Sequence, residues 1–88
     1  MIEFKKFGAS WCGPCKSLAP ILHEIKTQFH NVLFTEHDVD DEFEEATKFG
    51  IRSVPTVIVL KDGVEVSRIV GLNSKTKYVG VINEQLGK

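Results

Sequence analysis

The chain has 88 residues, 42% of them hydrophobic, so its length allows one compact core and leaves no room for a second domain. Its 11 lysines and arginines are scattered among 12 acidic residues, and the formal net charge of -1 argues against a nucleic-acid partner. The longest apolar stretch, VPTVIVL, is too short to cross a bilayer. We therefore expect a single domain over residues 1–88 without a membrane segment.

The first half of the chain predicts two strands, each followed by a helix. Residues 2–7, IEFKKF, are typical of a strand, and a helix should begin after it near Cys12 or Gly13. The apolar positions of this helix recur at spacings of three and four: Leu18, Ile21, Leu22, Ile25 and Phe29. Residues 32–39 predict a second strand, and DDEFEEATKFG predicts a short helix that ends at Gly50. Two strands joined by a helix should run parallel.

The second half predicts a hairpin and a last helix. The runs TVIVL and VEVSRIV are joined by KDG at 61–63, which is typical of a tight turn. Ser74 can cap a helix whose inward positions are Tyr78, Val81, Ile82 and Leu86. The element order therefore predicts an α/β fold, with a four-stranded mixed sheet and three helices distributed over both faces.

The only two cysteines lie in SWCGPC at positions 10–15, in the loop between the first strand and the first helix. A sulfur in the first turn of a helix meets unpaired N–H groups and the positive end of the helix dipole, which favour thiolate over thiol. Cys12 is therefore predicted to be a nucleophile, and Cys15, one turn later, to be more buried and to stay a thiol until needed. Gly13 and Pro14 suit the helix start.

This arrangement predicts two exchange steps, in which Cys12 attacks a substrate disulfide and Cys15 then resolves the mixed disulfide. A structural bridge is a weaker interpretation because so short a loop constrains little chain entropy. Zinc is also disfavoured because His23 lies about 12 Å from Cys15 along the helix, and His30 and His37 show no paired spacing. We expect no metal and expect these histidines at the surface.

Several segments resemble the thioredoxin family, in the order of that family and over nearly the whole chain. They are WCGPCK at 11–16, APIL at 19–22, FGIRSVPT at 49–56, KDG at 61–63 and VG at 70–71. The resemblance implies a thioredoxin-like fold that lacks the family's first strand and helix. It also implies that Pro55 is cis and packs against the dithiol, that the backbone of Val54 pairs with a substrate segment, and that Gly71 borders the same groove.

From the residues alone, plainer alternatives remain for these positions. Pro55 can be a trans proline that opens a strand, and Gly71 can simply ease a turn. Trp11 can be core packing, although its place outside the apolar helix stripe favours a position over the site.

Two charged positions differ from the family pattern. Lys6 stands where thioredoxins usually have a buried aspartate under the dithiol, and Glu36 stands where the family often has a lysine. One hypothesis is that Glu36 accepts the proton of Cys15 while Lys6 holds Glu36 ionised. The alternative is that both groups are hydrated. Lys6 nearer the sulfurs would make the pair more oxidising, and Glu36 nearer would do the reverse.

The resemblance implies a thiol-disulfide oxidoreductase that reduces protein disulfides with its own dithiol, without another cofactor. It implies recharging by a flavin- and NADPH-dependent reductase. We expect a cytoplasmic monomer, since the start MIEFKK offers no secretory signal. The alternatives are a glutaredoxin-like enzyme, a disulfide oxidase or isomerase, and a non-catalytic binding module. The acidic residues that follow the second strand are interpreted as a solvated face: Asp40, Asp41, Glu42, Glu44 and Glu45.

Overall fold

The computed structural model describes residues 1–87, which form four strands and three helices. In chain order they are β1 (Ile2–Gly8), α1 (Gly13–Gln28), β2 (Val32–Asp38), α2 (Phe43–Lys48), β3 (Thr56–Lys61), β4 (Val64–Val70) and α3 (Lys75–Gln85). All seven predicted elements are present in the predicted order. None of the helices within residues 1–87 is both long and apolar enough to span a bilayer. Lys88, the last residue of the predicted domain, lies outside the described residues.

The strands form one mixed sheet in the order β2-β1-β3-β4. β1 runs parallel to β2, and β3 and β4 form an antiparallel hairpin, so both predicted relationships are confirmed. Asp62 and Gly63 close the hairpin with φ values of 52° and 86°, which is the left-handed turn geometry that such residues favour. The antiparallel pairing of β1 with β3 was not predicted, and it places β1 inside the sheet.

Helices cover both faces of the sheet, as predicted. Successive strand residues point to opposite faces, so Phe4 packs with α1 and α3 while Phe7 packs on the α2 side. Most of the buried core lies on the first face: Ile2, Phe4, Leu18, Leu22, Ile25, Val32, Val57, Val59, Ile69, Tyr78, Val81 and Ile82. The second face holds a smaller cluster of Phe7, Ala46, Ile58 and Leu60.

The SWCGPC loop lies at the carboxyl end of β1, between that strand and α1. Because β1 and β2 are parallel, the loop that follows β2 begins beside it. The amide of Val39 donates to the carbonyl of Gly8 at 2.9 Å and ties these two loops together. The fold therefore presents the two cysteines at an edge formed by several loops, where α/β sheets commonly carry their functional sites.

Candidate active site

The two cysteines lie at the start of α1, as predicted. Cys12 is the N-cap residue, and its Sγ accepts a hydrogen bond from the amide of Cys15 at 3.1 Å. Gly13 is the first helical residue and Pro14 the second, where a missing N–H leaves no helical hydrogen bond unmade. The sequence thus places a sulfur at the positive end of a 16-residue helix.

A disulfide joins Cys12 and Cys15, whose Cα atoms are 5.3 Å apart, within the usual range for this bond. Each cysteine is 4% exposed, so the expectation that Cys15 is the more buried of the two is wrong for this oxidised form. The N-cap geometry folds Cys12 back over the first helical turn. Both sulfurs therefore enter one small cluster with Ala9, against which Val39 and Val54 pack.

An apolar groove runs along one side of the disulfide. Trp11 forms part of its wall, is 68% exposed, and donates from its indole Nε1 to Oδ2 of Asp40 at 2.9 Å. The ring therefore lies outside the core, and the hydrogen bond fixes its position. The groove has a volume of about 180 Å³ and is lined by Trp11, Val39, Ile51, Arg52, Ser53 and Val54.

Val54 packs against the two cysteines, and Pro55, which follows it, is hydrogen-bonded to Gly71. The Val54–Pro55 peptide bond is cis, as the resemblance implied, and Pro55 is buried. The amide of Gly71 donates to the carbonyl of Pro55 at 2.8 Å, and Gly71 has a φ of 84°. The buried hydroxyl of Tyr78 donates to the carbonyl of Gly71 at 3.3 Å, and burial raises the pKa of this hydroxyl. The sequence reasoning assigned Tyr78 only to the core, but its hydroxyl also holds the backbone of Gly71.

A charged cleft of about 430 Å³, so named because Lys6, Lys16, Glu36, Asp38 and Glu42 line it, lies on the other side of the disulfide and reaches Cys15. Lys6 and Glu36 both line it and face each other in the strand register. The ammonium of Lys6 nevertheless donates to the carbonyl of Cys15 at 3.2 Å, whereas Glu36 is exposed. The ion pairs found within residues 1–87 do not include Lys6 with Glu36, so the pairing assumed by the sequence hypothesis is absent. Register fixes only the Cα atoms, and the long lysine side chain ends at α1 instead.

Gly8 is a site residue that the sequence reasoning missed. A Cβ at this position would stand 3.3 Å from Sγ of Cys15 and 3.7 Å from Cε of Lys6. The first distance is tighter than nearly all real Cβ contacts, so the absence of a side chain lets Cys15 lie against the end of β1. The sequence signal that could have identified Gly8 is its position, as a glycine at the end of a predicted strand just before the cysteine motif.

The acidic segment is more than a solvated face. Asp40 holds the indole described above, and Glu42 bonds to Nδ1 of His37 at 2.8 Å. A hydrogen bond from Lys5 lowers the pKa of the Glu45 carboxyl. Asp40 and Glu42 are nevertheless exposed, as the solvated interpretation expects, and Glu45 is partly buried. His37, which we expected at the surface, has a side chain only 15% exposed, whereas His23 and His30 are exposed as expected.

Comparison with known proteins agrees with this geometry. The family model described as Thioredoxin matches residues 4–84. The chain belongs to the thioredoxin family. It is 42% identical over 78 residues to a thioredoxin of Chlamydia caviae, an alignment that covers 89% of this chain and 76% of the relative. It is also 42% identical over 81 residues to a thioredoxin of Bacillus subtilis, with 91% and 78% of the two chains covered.

Solved thioredoxin structures share the fold. The thioredoxin of Nicotiana alata superposes with a TM-score of 0.90 at 35% identity, over 94% of this chain and 71% of that one. The Fasciola hepatica thioredoxin gives 0.89 at 36% identity, over 94% and 79%. The four-stranded mixed sheet with three helices is thus a thioredoxin-like fold. The chain is a dithiol-disulfide oxidoreductase of the thioredoxin type, and Cys12 and Cys15 form its disulfide.

Proposed function

We propose that this protein reduces disulfides of other proteins, with Cys12 as the attacking residue and Cys15 as the resolving residue. Membership of the thioredoxin family supports protein disulfides as the substrate class. The observation that carries the assignment of roles is the hydrogen bond from the Cys15 amide to Sγ of Cys12. In the reduced protein the same donor and the helix dipole stabilise negative charge on Cys12, so more of Cys12 is present as the thiolate, which is the attacking form.

Each turnover moves two electrons from the dithiol to the substrate. The thiolate of Cys12 attacks one substrate sulfur, a Cys12–substrate disulfide forms, and the other substrate sulfur leaves as a thiolate that takes up a proton. Cys15 then loses its proton and attacks Sγ of Cys12, which restores the internal disulfide and releases the second substrate thiol. The dithiol is the redox centre in this scheme, and the scheme uses no further cofactor.

The apolar groove is the proposed binding place for the substrate segment. The exposed ring of Trp11 and the side chain of Val54 flank the disulfide and offer apolar contact area. Val54 precedes β3, and the turn and loop hydrogen bonds of residues 1–87 do not use its backbone. Its N–H and C=O can therefore pair with an extended substrate as an added strand. Pro55 and Gly71 form the adjoining rim, joined by their own hydrogen bond.

The oxidised protein must be reduced again before the next cycle. We assign this step to a flavin- and NADPH-dependent thioredoxin reductase, and we place the working protein in the cytoplasm as a monomer. Family membership supports this assignment. Incubation of the oxidised chain with NADPH and such a reductase should consume one NADPH per disulfide. If NADPH and the reductase do not reduce the chain, glutathione becomes the candidate electron donor.

Reduction of insulin by dithiothreitol, with and without the protein, tests the activity. We expect catalytic amounts of the wild type to accelerate it and Cys12→Ser to abolish the acceleration, because the attacking sulfur is lost. A parallel assay with glutathione as the electron donor separates the glutaredoxin-like alternative. Turnover that depends on glutathione would favour that alternative, and a Cys12→Ser variant that matches the wild type would refute the proposed role of Cys12.

A further inference from the structure

Lys6 places a buried positive charge beneath the dithiol. The residue is 7% exposed, and its Nζ donates to the carbonyl of Cys15 at 3.2 Å. The ion pairs recorded in residues 1–87 do not include it, whereas the neighbouring Lys5 pairs with Glu45 on the opposite face of the sheet. Burial of an ammonium without a carboxylate is unfavourable unless something else nearby carries negative charge.

The end of the Lys6 side chain lies close to Sγ of Cys15. Sγ of Cys15 and Cε of Lys6 both lie within 4 Å of the point where a Cβ of Gly8 would stand, at 3.3 Å and 3.7 Å. Lys6 and Cys15 therefore border the same small space at the end of β1. In the oxidised protein the sulfurs are neutral, and negative charge arises there only on reduction.

We infer that Lys6 is a positioning residue that stabilises the thiolate of the reduced dithiol directly and so makes the Cys12–Cys15 pair more oxidising. The inference rests on the proposed function, since it requires a dithiol that cycles. It differs from the sequence hypothesis, in which Lys6 acts through Glu36. Lys6 touches neither substrate nor the bonds that change, so its effect is on the equilibrium and on the ionisation of the sulfurs.

The other charged groups of the cleft form no ion pair with Lys6 within residues 1–87. Two of them are occupied elsewhere, since Glu42 bonds to His37, and Asp38 accepts from the amides of Asp40 and Asp41. Glu36 is exposed, and water screens an exposed carboxylate strongly. The charged or titratable side chains that line the cleft with Lys6 are Lys16, Glu36, His37, Asp38 and Glu42. Lys6 is the buried one among the cations of this cleft.

The redox equilibrium shows where the charge acts. Two glutathione thiols reduce the protein disulfide and leave as one glutathione disulfide. The bond between the two protein sulfurs breaks, Cys15 takes one of the two protons, Cys12 remains a thiolate, and the second proton enters solvent. The positive charge of Lys6 favours the side of this equilibrium on which the thiolate exists. It therefore favours the reduced protein.

Equilibration in glutathione buffers of defined ratio tests the inference, with Lys6→Met and Lys6→Gln as two neutral variants. We expect the equilibrium constant for formation of the protein disulfide to rise roughly tenfold in both, which corresponds to a reduction potential about 30 mV lower. The pH midpoint for alkylation of Cys12 by iodoacetamide should rise as well. Lys6→Arg keeps the charge and should stay near the wild type in both measurements.

Lys5→Met is the matched control, because it removes the same charge from the adjacent residue on the opposite face of the sheet. Its equilibrium constant should equal that of the wild type. Neutral Lys6 variants with wild-type equilibrium constants, or an arginine variant that shifts as far as methionine, would overturn the inference while leaving the reductase function intact. A wild type that forms no reversible disulfide would overturn the proposed function itself, and the inference with it.

Discussion

The two sides of the Cys12–Cys15 disulfide differ in charge and in construction. On one side Trp11 and Val54 line a groove that is mostly apolar and built from loops. On the other side Lys6, Gly8 and Glu36 line a charged cleft, which is bordered by the ends of β1 and β2 and by the first half of α1. The comparison teaches that the proposed substrate binding and the proposed control of sulfur charge would rest on separate sets of residues.

The same comparison separates two sulfurs that are equally buried. Cys15 lines the charged cleft, and Cys12 is not among the residues that line it. Cys12 instead receives the amide hydrogen bond at the start of α1. Equal exposure therefore does not imply equal chemistry, and the predictions below test the difference, beginning with the largest expected effect.

Cys15→Ser should break the exchange cycle after its first step. Cys12 keeps its position at the N-cap, so it still attacks, and the mixed disulfide then accumulates because no resolving sulfur remains. We expect turnover to fall to background, with one substrate chain attached to each protein as measured by intact mass spectrometry. Cys12→Ser is the control and should trap almost none. Equal trapping by the two variants would contradict the division of roles.

Gly8→Ala should destabilise the protein by about 1–3 kcal/mol, because the added methyl group presses on Sγ of Cys15. The loss should be larger in the oxidised than in the reduced protein, since a free thiol can rotate away. Urea unfolding of both forms measures the difference. Gly80→Ala is the control, since nothing lies within 4 Å of its Cβ and alanine favours the helix. An equal loss in the two redox forms would argue against contact with the sulfur.

Trp11→Ala should lower kcat/KM for a protein substrate by roughly tenfold, in keeping with the loss of a large aromatic contact of about 1.4 kcal/mol. The equilibrium with glutathione should not change, because the ring belongs to the apolar side. Leu33→Ala removes another exposed apolar side chain, at the opposite end of β2, and should leave kcat/KM unchanged. A changed equilibrium constant with glutathione in Trp11→Ala would contradict the separate roles of the two sides of the disulfide.

Glu36→Gln should have the smallest effect. The ion pair between Glu36 and Lys6, on which the proton-acceptor hypothesis rested, is not among those of residues 1–87. The carboxylate of Glu36 is exposed to solvent instead. We expect the pH profile of disulfide reduction to move little in this variant and clearly more in Lys6→Met. A larger displacement in Glu36→Gln than in Lys6→Met would restore Glu36 as the proton acceptor of Cys15.

Local patterns predicted the fold because each element carries its own signal. The alternation in β1 that sends Phe4 and Phe7 to opposite faces, and the Ser74 cap of α3, depend on neighbours in sequence. The pairing of β1 with β3 depends on residues 49 to 59 positions apart, and no local pattern reports it. Relatives' motifs indicated the cis bond before Pro55, which the residues alone left open.

The parts of the site that depend on backbone position could be predicted from the sequence. The hydrogen-bond partners of long side chains could not. Cys12 at the helix start follows from the motif and its place after a strand. The hydrogen bond between Trp11 and Asp40 joins two loops that are 29 residues apart in sequence. The ammonium of Lys6 donates to the carbonyl of Cys15 in α1 and not to the carboxylate of Glu36 on the neighbouring strand. Both hydrogen bonds depend on the torsion angles of long side chains, which sequence spacing does not determine.

The position of β1 inside the sheet has a further consequence for motion. Lys6 and Gly8 belong to a strand with hydrogen-bonded neighbours on both sides, while Trp11 and Val54 lie in loops. Amides of such an interior strand exchange with solvent only through large opening events, whereas loop amides exchange through small local ones. Fluctuations that let the groove adapt to substrates of different shape therefore leave the charge beneath the sulfurs in place. We therefore expect the groove to adapt to a substrate without a change in the redox equilibrium that Lys6 is proposed to set.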